Sequence, residues 1–493
     1  MGFPFEHGLH TTLMAMRLAD LLSVSPETAS QTYYASLLTY SGCTTDADLA
    51  TEVFGGSALD NLTPRQFGSG ADHFIGAVRS MPPPNTSALR RPYEVARRLS
   101  VGYRFREPHF EAMCEVAGML AERLGVPSSV HRMFFKLTER WDGKSVLRRA
   151  KGDEVPLPIR ITHVAEDAAF QRVIGGEEHA VETIRSRAGH AFDPAVAEAF
   201  TRHADEVFSA TEGESAWEAT LRAEPRPHLH LEGEAIDRAI AAMGDFADMV
   251  SPTFTGHSRG VADLAAAAAF VSGFDGDGIT GVRRAALVHD LGRVAVHPRV
   301  WLKTGPLTAD DWEQVRLHPY HTERVLSRSS FLTPMSGSAR AHHERLDGTG
   351  YHRGVSAPSL SASDRLIAAA DSFRAMTESR PHRGGVAPEE AARRLVEDAR
   401  AGRLDADMVS AVCQVAGEPG PRPLRPAGLT EREGEVIGLL GRGLQTKQVA
   451  RRLDISVKTA DRHIQNAYRK MGVSSRAGAT LFAVEHGLIP PSS

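Results

Sequence analysis

The chain has 493 residues, a formal net charge of −4, 24% charged and 42% hydrophobic residues, which is globular composition sufficient for about three domains. Three unclustered cysteines, Cys43, Cys114 and Cys413, exclude a disulfide framework and a cysteine zinc site and suit a reducing compartment. The start carries no basic and apolar leader, and the longest small-apolar stretch, Ala262 to Val271, is too short to span a bilayer, so a soluble, cytoplasmic protein without a membrane partner is expected.

Ala, Leu, Arg and Glu dominate, and apolar residues recur at three- and four-residue steps, as in Val261, Leu264, Ala268 and Val271. Alternating β-branched runs are scarce, so an all-α fold is predicted. Two proline-rich stretches, Arg222 to Glu234 and Gly417 to Gly428, cannot continue a helix and read as linkers. They divide the chain into 1–221, 235–416 and 428–493. The first two pieces look like copies. Glu139 to Lys144 parallels Glu344 to Thr349 at an offset of 205, and the same offset carries Arg160-Ile161 onto Arg365-Leu366. Ala188-Gly189 with Asp193 likewise parallels Ala401-Gly402 with Asp405. Two matches in register and a third nearby point to a tandem duplication.

The copies differ in their chemistry. In the second, His257, His289-Asp290, His318, His342-His343 and Asp371 each adjoin an apolar helical run. Neutral imidazoles and carboxylates are the donors that Fe, Mn and Zn prefer, and helices that each deliver one or two such ligands can build a two-metal site. Any single histidine among the 22 is more often a surface or core residue, but five with two aspartates in this arrangement point to a metal. In the first copy the equivalent positions are Thr39-Tyr40, Leu137, Thr138 and Glu166, with His10 the one candidate survivor. Apolar and hydroxyl groups cannot hold a divalent ion, so this copy is expected to be metal-free, with a structural, dimerising or sensing role.

The motifs Gly256-His257-Ser258, His289-Asp290-Leu291-Gly292, His318-Pro319, His342 to Tyr351 and Ala370-Asp371 resemble the HD-GYP branch of the HD-domain phosphohydrolases. The resemblance covers about Asp245 to Ala416. It implies that His257, His289, Asp290, His318, His342, His343 and Asp371 hold metal, with Asp290 bridging two ions and Fe or Mn ahead of Zn. It also implies hydrolysis of a phosphodiester, most often cyclic di-GMP, or of another phosphate ester. Three positions depart from the pattern. Arg293 replaces a phosphate-side lysine and keeps the charge as a planar fork. His352 replaces the proline of the Gly-Tyr-Pro motif. Thr253 stands where some members carry an acid, which favours two ions over three. Asp290 and Arg293 are the candidate catalytic residues, and Tyr351, Arg380 and Arg383 are candidates for contacting the substrate.

From Gly428 to Ser493, ten Lys/Arg stand against six Asp/Glu, so this segment carries +4 and the rest −8. A basic module on an acidic body is the footprint of a nucleic-acid binder. Thr430 to Glu433 reads as a capping box, Gln445 to Leu453 as a second helix, and Ser456 as the cap of a third that buries Val457, Ala460, Ile464, Ala467 and Met471. This segment resembles the LuxR-type DNA-binding domain in Leu429 to Glu433, Thr446 to Ala450, Ile455 to Thr459, His463, Lys470 to Arg476 and Gly487-Leu488. The resemblance implies a small four-helix domain that regulates transcription as a homodimer on double-stranded DNA, its third helix in the major groove and the helix from Ser474 to Glu485 at the dimer contact. Asp461, Arg462 and Gln465 face away from the core stripe and are candidates for base edges. Lys447, Lys458, Arg469 and Arg476 are candidates for phosphates, and Thr459 and His463 belong to the same surface. The leading reading is a transcription regulator with a working phosphodiesterase domain. Its rival is a DNA-binding sensor whose HD domain holds metal and nucleotide without turnover.

Overall fold

A computed structural model describes residues 6–42, 52–54, 61–83, 86–213, 215–418, 426–442, 444–473, 475–485 and 488. Cys43, linker residues 419–425, Ser474 and Gly487 lie outside that set. Among the described residues there is no β-sheet, and two isolated bridges are the extent of β pairing. No described helix is long and apolar enough to cross a membrane.

Helix lengths recur along the chain. The helix α1 (His7–Leu21) has 15 residues and α2 (Pro26–Leu37) has 12. Ser25 caps α2 by accepting from the Thr28 amide, and Pro26 supplies the preset φ of a first helical position. Later in the chain stand α3 (Arg91–Arg123) and α4 (Leu157–Arg187), whose interior is broken at Gly176, with φ 84°. The second copy begins with α5 (Glu234–Asp248), after residues 223–233, which carry no helix. Then come α6 (His257–Val271) and α7 (Gly276–Leu287), again 15 and 12 residues. These pairs match at an offset of 250, whereas the later motifs match at 205, so the first copy is 45 residues longer between its halves. One ion pair also recurs: Arg160 to Asp193 at 2.5 Å in the first copy and Arg365 to Asp405 at 3.1 Å in the second.

Two compact units emerge from the packing. One comprises Met1–Asp263, Thr280–Ala341 and Glu378–Gly385, the other Leu264–Ile279, His342–Thr377 and Val386–Ser493. In the first unit, Met14 and Leu18 of α1 pack with Ile161, Val164 and Ile184 of α4 and with Phe192, Phe200 and Phe208. Tyr33, Cys114, Phe134 and Ile159 form a neighbouring core. The same unit holds α8 (His318–Leu326) and α9 (Thr333–Arg340). Gly292 is where the loop after α7 meets α8. A Cβ there would lie 2.0 Å from the His318 carbonyl oxygen, so only glycine permits the approach.

In the second unit, α10 (Ala362–Thr377) buries Leu366, Ile367, Ala369 and Ala370, and α11 (Pro388–Arg400) and α12 (Ala406–Val415) follow it. The C-terminal module consists of α13 (Glu431–Gly441), α14 (Thr446–Arg452), α15 (Val457–Met471) and α16 (Arg476–Glu485). Leu429, Val436, Ile437, Val449, Ile464, Ala467, Ala479 and Ala483 make its core. The Thr430 capping box is formed in both directions, and Lys470 locks it by reaching Glu433 at 2.7 Å.

Candidate functional site

Four of the metal-ligand candidates come together inside the first unit. His257 is the first residue of α6, His289 and Asp290 follow α7 after the single residue Val288, and His318 is the first residue of α8. All four are buried, because each apolar helical run delivers its polar end into the core. The imidazoles share one orientation. Nδ1 of His289 meets the Ala286 carbonyl at 2.7 Å, Nδ1 of His318 the Val315 carbonyl at 2.5 Å, and Nδ1 of His257 the Glu378 carboxylate at 2.7 Å. With Nδ1 occupied, each ring turns Nε2 toward Asp290, at 2.8, 3.1 and 3.3 Å for His289, His318 and His257. His257, His289 and Asp290 each offer a ligand atom within 4.8 Å of the others. Second partners on Nδ1 that present Nε2 to a common point are the usual support of histidine metal ligands. This buried His/Asp cluster can bind a metal ion.

Arg293, on the turn after Asp290, is buried as well. Its Nη2 lies 2.5 Å from Asp290 Oδ2, and its guanidinium stacks 4.0 Å above the Phe254 ring. Burial opposes ionisation of Asp290, but Arg293 and then His289 outweigh it and hold the carboxyl well below the usual carboxylate range. Arg380 lies on the same aromatic ring at 4.6 Å, donates from Nη1 to the Thr253 carbonyl at 2.9 Å and pairs through Nη2 with Glu378 at 3.0 Å. Its neighbour Arg383 is exposed and donates to the Glu378 carbonyl at 3.2 Å. Arg380 thus serves as a strut, whereas Arg383 faces solvent.

His342, His343, Tyr351 and Asp371 belong to the second unit. The two histidines sit in a turn, with ring centroids 4.3 Å apart, and His343 is 4.4 Å from the Tyr351 ring. Asp371 lies inside α10 rather than at a helix end, and its Oδ2 is 3.7 Å from His343 Nδ1. Buried Glu344 pins the following loop by accepting from the amides of Arg353 and Val355, both at 3.1 Å. Within that loop His352 has φ 65°, a left-handed conformation that proline cannot adopt. The departure from Gly-Tyr-Pro at this position therefore matches its backbone.

The first copy holds a different network. The helix-length register places His7, not His10, opposite His257, which corrects the sequence reading. His7 Nε2 is 2.9 Å from the Tyr40 hydroxyl, and Tyr40 stands opposite Asp290. Glu166, opposite Asp371, is tied to Gln66 and to Tyr40. A phenol therefore sits among groups equivalent to the second copy's ligands. His163 Nε2 meets the Leu137 carbonyl at 2.6 Å, so a backbone oxygen is engaged where His342 supplies a ring.

In the C-terminal module the third helix, α15, exposes Lys458, Thr459, Asp461, Arg462, Gln465 and Arg469, and half-buries His463. Ala460, Ile464 and Ala467 face the core, so the exposed residues form the opposite face. Lys447 is exposed on α14. Arg476 is more constrained, since its Nη2 donates to the carbonyls of Leu440 and Leu444, each at 3.0 Å.

Sequence reasoning missed Glu378, Phe254 and His7. Glu378 sat unremarked two residues before Arg380, and His7 would have emerged from aligning the starts of α1 and α6.

Parts of the chain match known families. Residues 242–408 match the HD domain family, and residues 427–483 match the bacterial regulatory proteins of the luxR family. A 3'3'-cGAMP-specific phosphodiesterase of Vibrio cholerae is 28% identical over 421 residues, covering 83% of this chain and 90% of that protein. A cyclic di-GMP phosphodiesterase of Thermotoga maritima is 38% identical over 119 residues, 24% of this chain and 32% of its own length. The crystal structure of a cyclic GMP-AMP specific phosphodiesterase from V. cholerae superposes with a TM-score of 0.56 at 23% identity, covering 84% of this chain and 94% of that one, and so shares the fold.

Proposed function

From a chain that is an HD-domain protein ending in a LuxR-family helix-turn-helix module, we propose a metal-dependent phosphodiesterase acting on a cyclic dinucleotide and joined to a DNA-binding regulator. The observation that carries it is the set of three imidazoles whose Nδ1 atoms are engaged and whose Nε2 atoms turn to Asp290. His257, His289, Asp290 and His318, with His342, His343 and Asp371 from the second unit, hold two divalent ions, Fe or Mn ahead of Zn. The family match over 242–408 covers all seven residues. When bound, such a pair supplies hydroxide at neutral pH and positive charge for the phosphate oxygens. Water adds across one P–O ester bond: its oxygen joins phosphorus, and the ribose oxygen leaves with a proton, giving a linear dinucleotide. Tyr351, beside His343, offers a ring for base stacking, and exposed Arg383 a cation for phosphate.

A relative covering 83% of this chain is named for 3'3'-cGAMP, which supports testing that substrate beside cyclic di-GMP. The C-terminal module supports a cytoplasmic transcription regulator that binds double-stranded DNA as a homodimer, with α15 in the major groove. A second reading, a sensor that holds nucleotide without turnover, is favoured by one observation: Arg293 is packed between Asp290 and Phe254 instead of extending toward a substrate. Metal analysis of the purified full chain, followed by hydrolysis assays with 3'3'-cGAMP, cyclic di-GMP and a model diester, separates the readings. Product that forms in wild type and not in Asp290→Ala supports the enzyme. Bound metal with nucleotide binding and no product supports the sensor.

A further inference from the structure

We propose that Glu378 is a positioning residue that fixes which nitrogen of His257 faces the metal centre. The inference rests on reading the His/Asp cluster as that centre. Glu378 directly follows α10 in sequence and is 121 residues from His257, yet its Oε2 lies 2.7 Å from His257 Nδ1. Arg380 approaches the same oxygen with Nη2 at 3.0 Å, and its Nη1 holds the Thr253 carbonyl at 2.9 Å. Stacking on Phe254 at 4.6 Å fixes the guanidinium plane, so the carboxylate is held between a cation and an imidazole.

The three clustered histidines solve one problem by two routes. His289 and His318 each use a backbone carbonyl three residues earlier, Ala286 and Val315, as the Nδ1 acceptor. His257 opens its helix and takes a side-chain carboxylate instead. A carboxylate accepts more strongly than a carbonyl and holds the ring in the tautomer that leaves the Nε2 lone pair directed at Asp290, 3.3 Å away. It also makes Nε2 a better donor to a metal than the Nε2 of either neighbour. Because the contact is made by a side chain, substitution can remove it, whereas the carbonyl contacts of His289 and His318 cannot be deleted in this way.

The test uses the full chain stripped of metal and titrated with Mn(II), with Co(II) absorption as the spectroscopic readout, in wild type, Glu378→Ala, Glu378→Gln and Glu378→Asp. Glu378→Ala is expected to weaken one of the bound ions by about 10- to 100-fold and to change the Co(II) spectrum. Glu378→Gln, which can still accept from Nδ1 through Oε1, should fall between Ala and wild type, and Glu378→Asp should recover part of the loss. Melting of the metal-free proteins separates a folding defect: a purely structural Glu378 lowers that melting temperature and leaves the Mn(II) titration of the folded protein unchanged. If Ala and Gln both titrate like a wild type that binds Mn(II), the positioning role is overturned and the metal centre stands. If wild type binds neither Mn(II) nor Co(II), the metal centre itself is lost and the role of Glu378 with it.

Discussion

The guanidinium of Arg293 pairs with the carboxylate of Asp290, Nη2 2.5 Å from Oδ2, while it lies over the Phe254 ring at 4.0 Å. One oxygen of Asp290 is thus engaged by a planar cation that stacking holds in place. Lysine keeps the charge but lacks the fork and the stacking plane, so it can leave the carboxylate when a phosphate arrives. Arg293→Lys is therefore expected to raise kcat for a cyclic dinucleotide by roughly tenfold, equivalent to about 1.4 kcal/mol of barrier. Steady-state kinetics at saturating metal check it, and an unchanged or lower kcat means that Arg293 does not restrain Asp290.

At His352 the prediction concerns backbone conformation. Its φ of 65° is costly for any residue with a Cβ and closed to proline, whose ring fixes φ near −65°. Restoring the motif as His352→Pro should destabilise the middle domain by about 1–3 kcal/mol, whereas His352→Gly should be neutral or stabilising. Calorimetry of the full chain reads this directly. A proline variant that melts like wild type would show that the loop accepts a different backbone.

How much of this was legible in the sequence depends on the range of each interaction. The all-helical pattern, the Thr430 capping box and the Ser456 cap are local, and residues three or four apart specify them. The histidines and Asp290 were legible because each adjoins an apolar run that had to be buried. Asp371 adjoins the apolar run from Leu366 to Ala370, and α10 continues six residues further to Thr377. The Nδ1 partners were hidden, because two are backbone carbonyls and the third, Glu378, is 121 residues from its histidine. Arg380 reads in the sequence as a candidate for contacting the substrate, and only tertiary packing on Phe254 shows that it is a strut. His7 stays hidden in the sequence because the motif offset alone does not reveal where α1 begins.

Glu166 gives the first copy a pH signature. Burial, and next the Asp167 charge, raise its pKa from 4.5 to about 8. Between those values the folded chain keeps a proton that the unfolded chain releases, so this contribution is complete below pH 4.5 and is lost as pH climbs through 8. Glu166→Gln needs no proton and should melt several degrees higher than wild type at pH 9, with the difference closing at pH 5. His7 and His163 act in the opposite sense, since burial lowers both from 6.5 to about 4 and their contribution disappears as pH falls through that window. A wild-type and Glu166→Gln difference that stays flat from pH 5 to 9 would mean the carboxyl ionises normally.

The DNA-binding module allows base reading, phosphate contact and internal support to be told apart. Arg462 and Lys458 are both exposed on α15, Arg462 beside Asp461 and one turn from the N-terminal end that would enter the groove. Arg462→Ala is expected to cost about 1–3 kcal/mol on the cognate site and to relax preference at one base pair. Lys458→Ala should weaken cognate and scrambled DNA alike and lower the salt dependence of log K by about one phosphate contact. Arg476 is the informative contrast. Its Nη2 already bridges the carbonyls at the end of α13 and in the following turn, Leu440 and Leu444, both at 3.0 Å. Arg476→Ala should therefore leave two carbonyls without this donor, lower the melting temperature of the module and leave the salt slope unchanged. Fluorescence anisotropy on one operator across a salt series, paired with thermal melts, measures both quantities. A reduced slope with an unaltered melt would return Arg476 to the phosphate-contacting set.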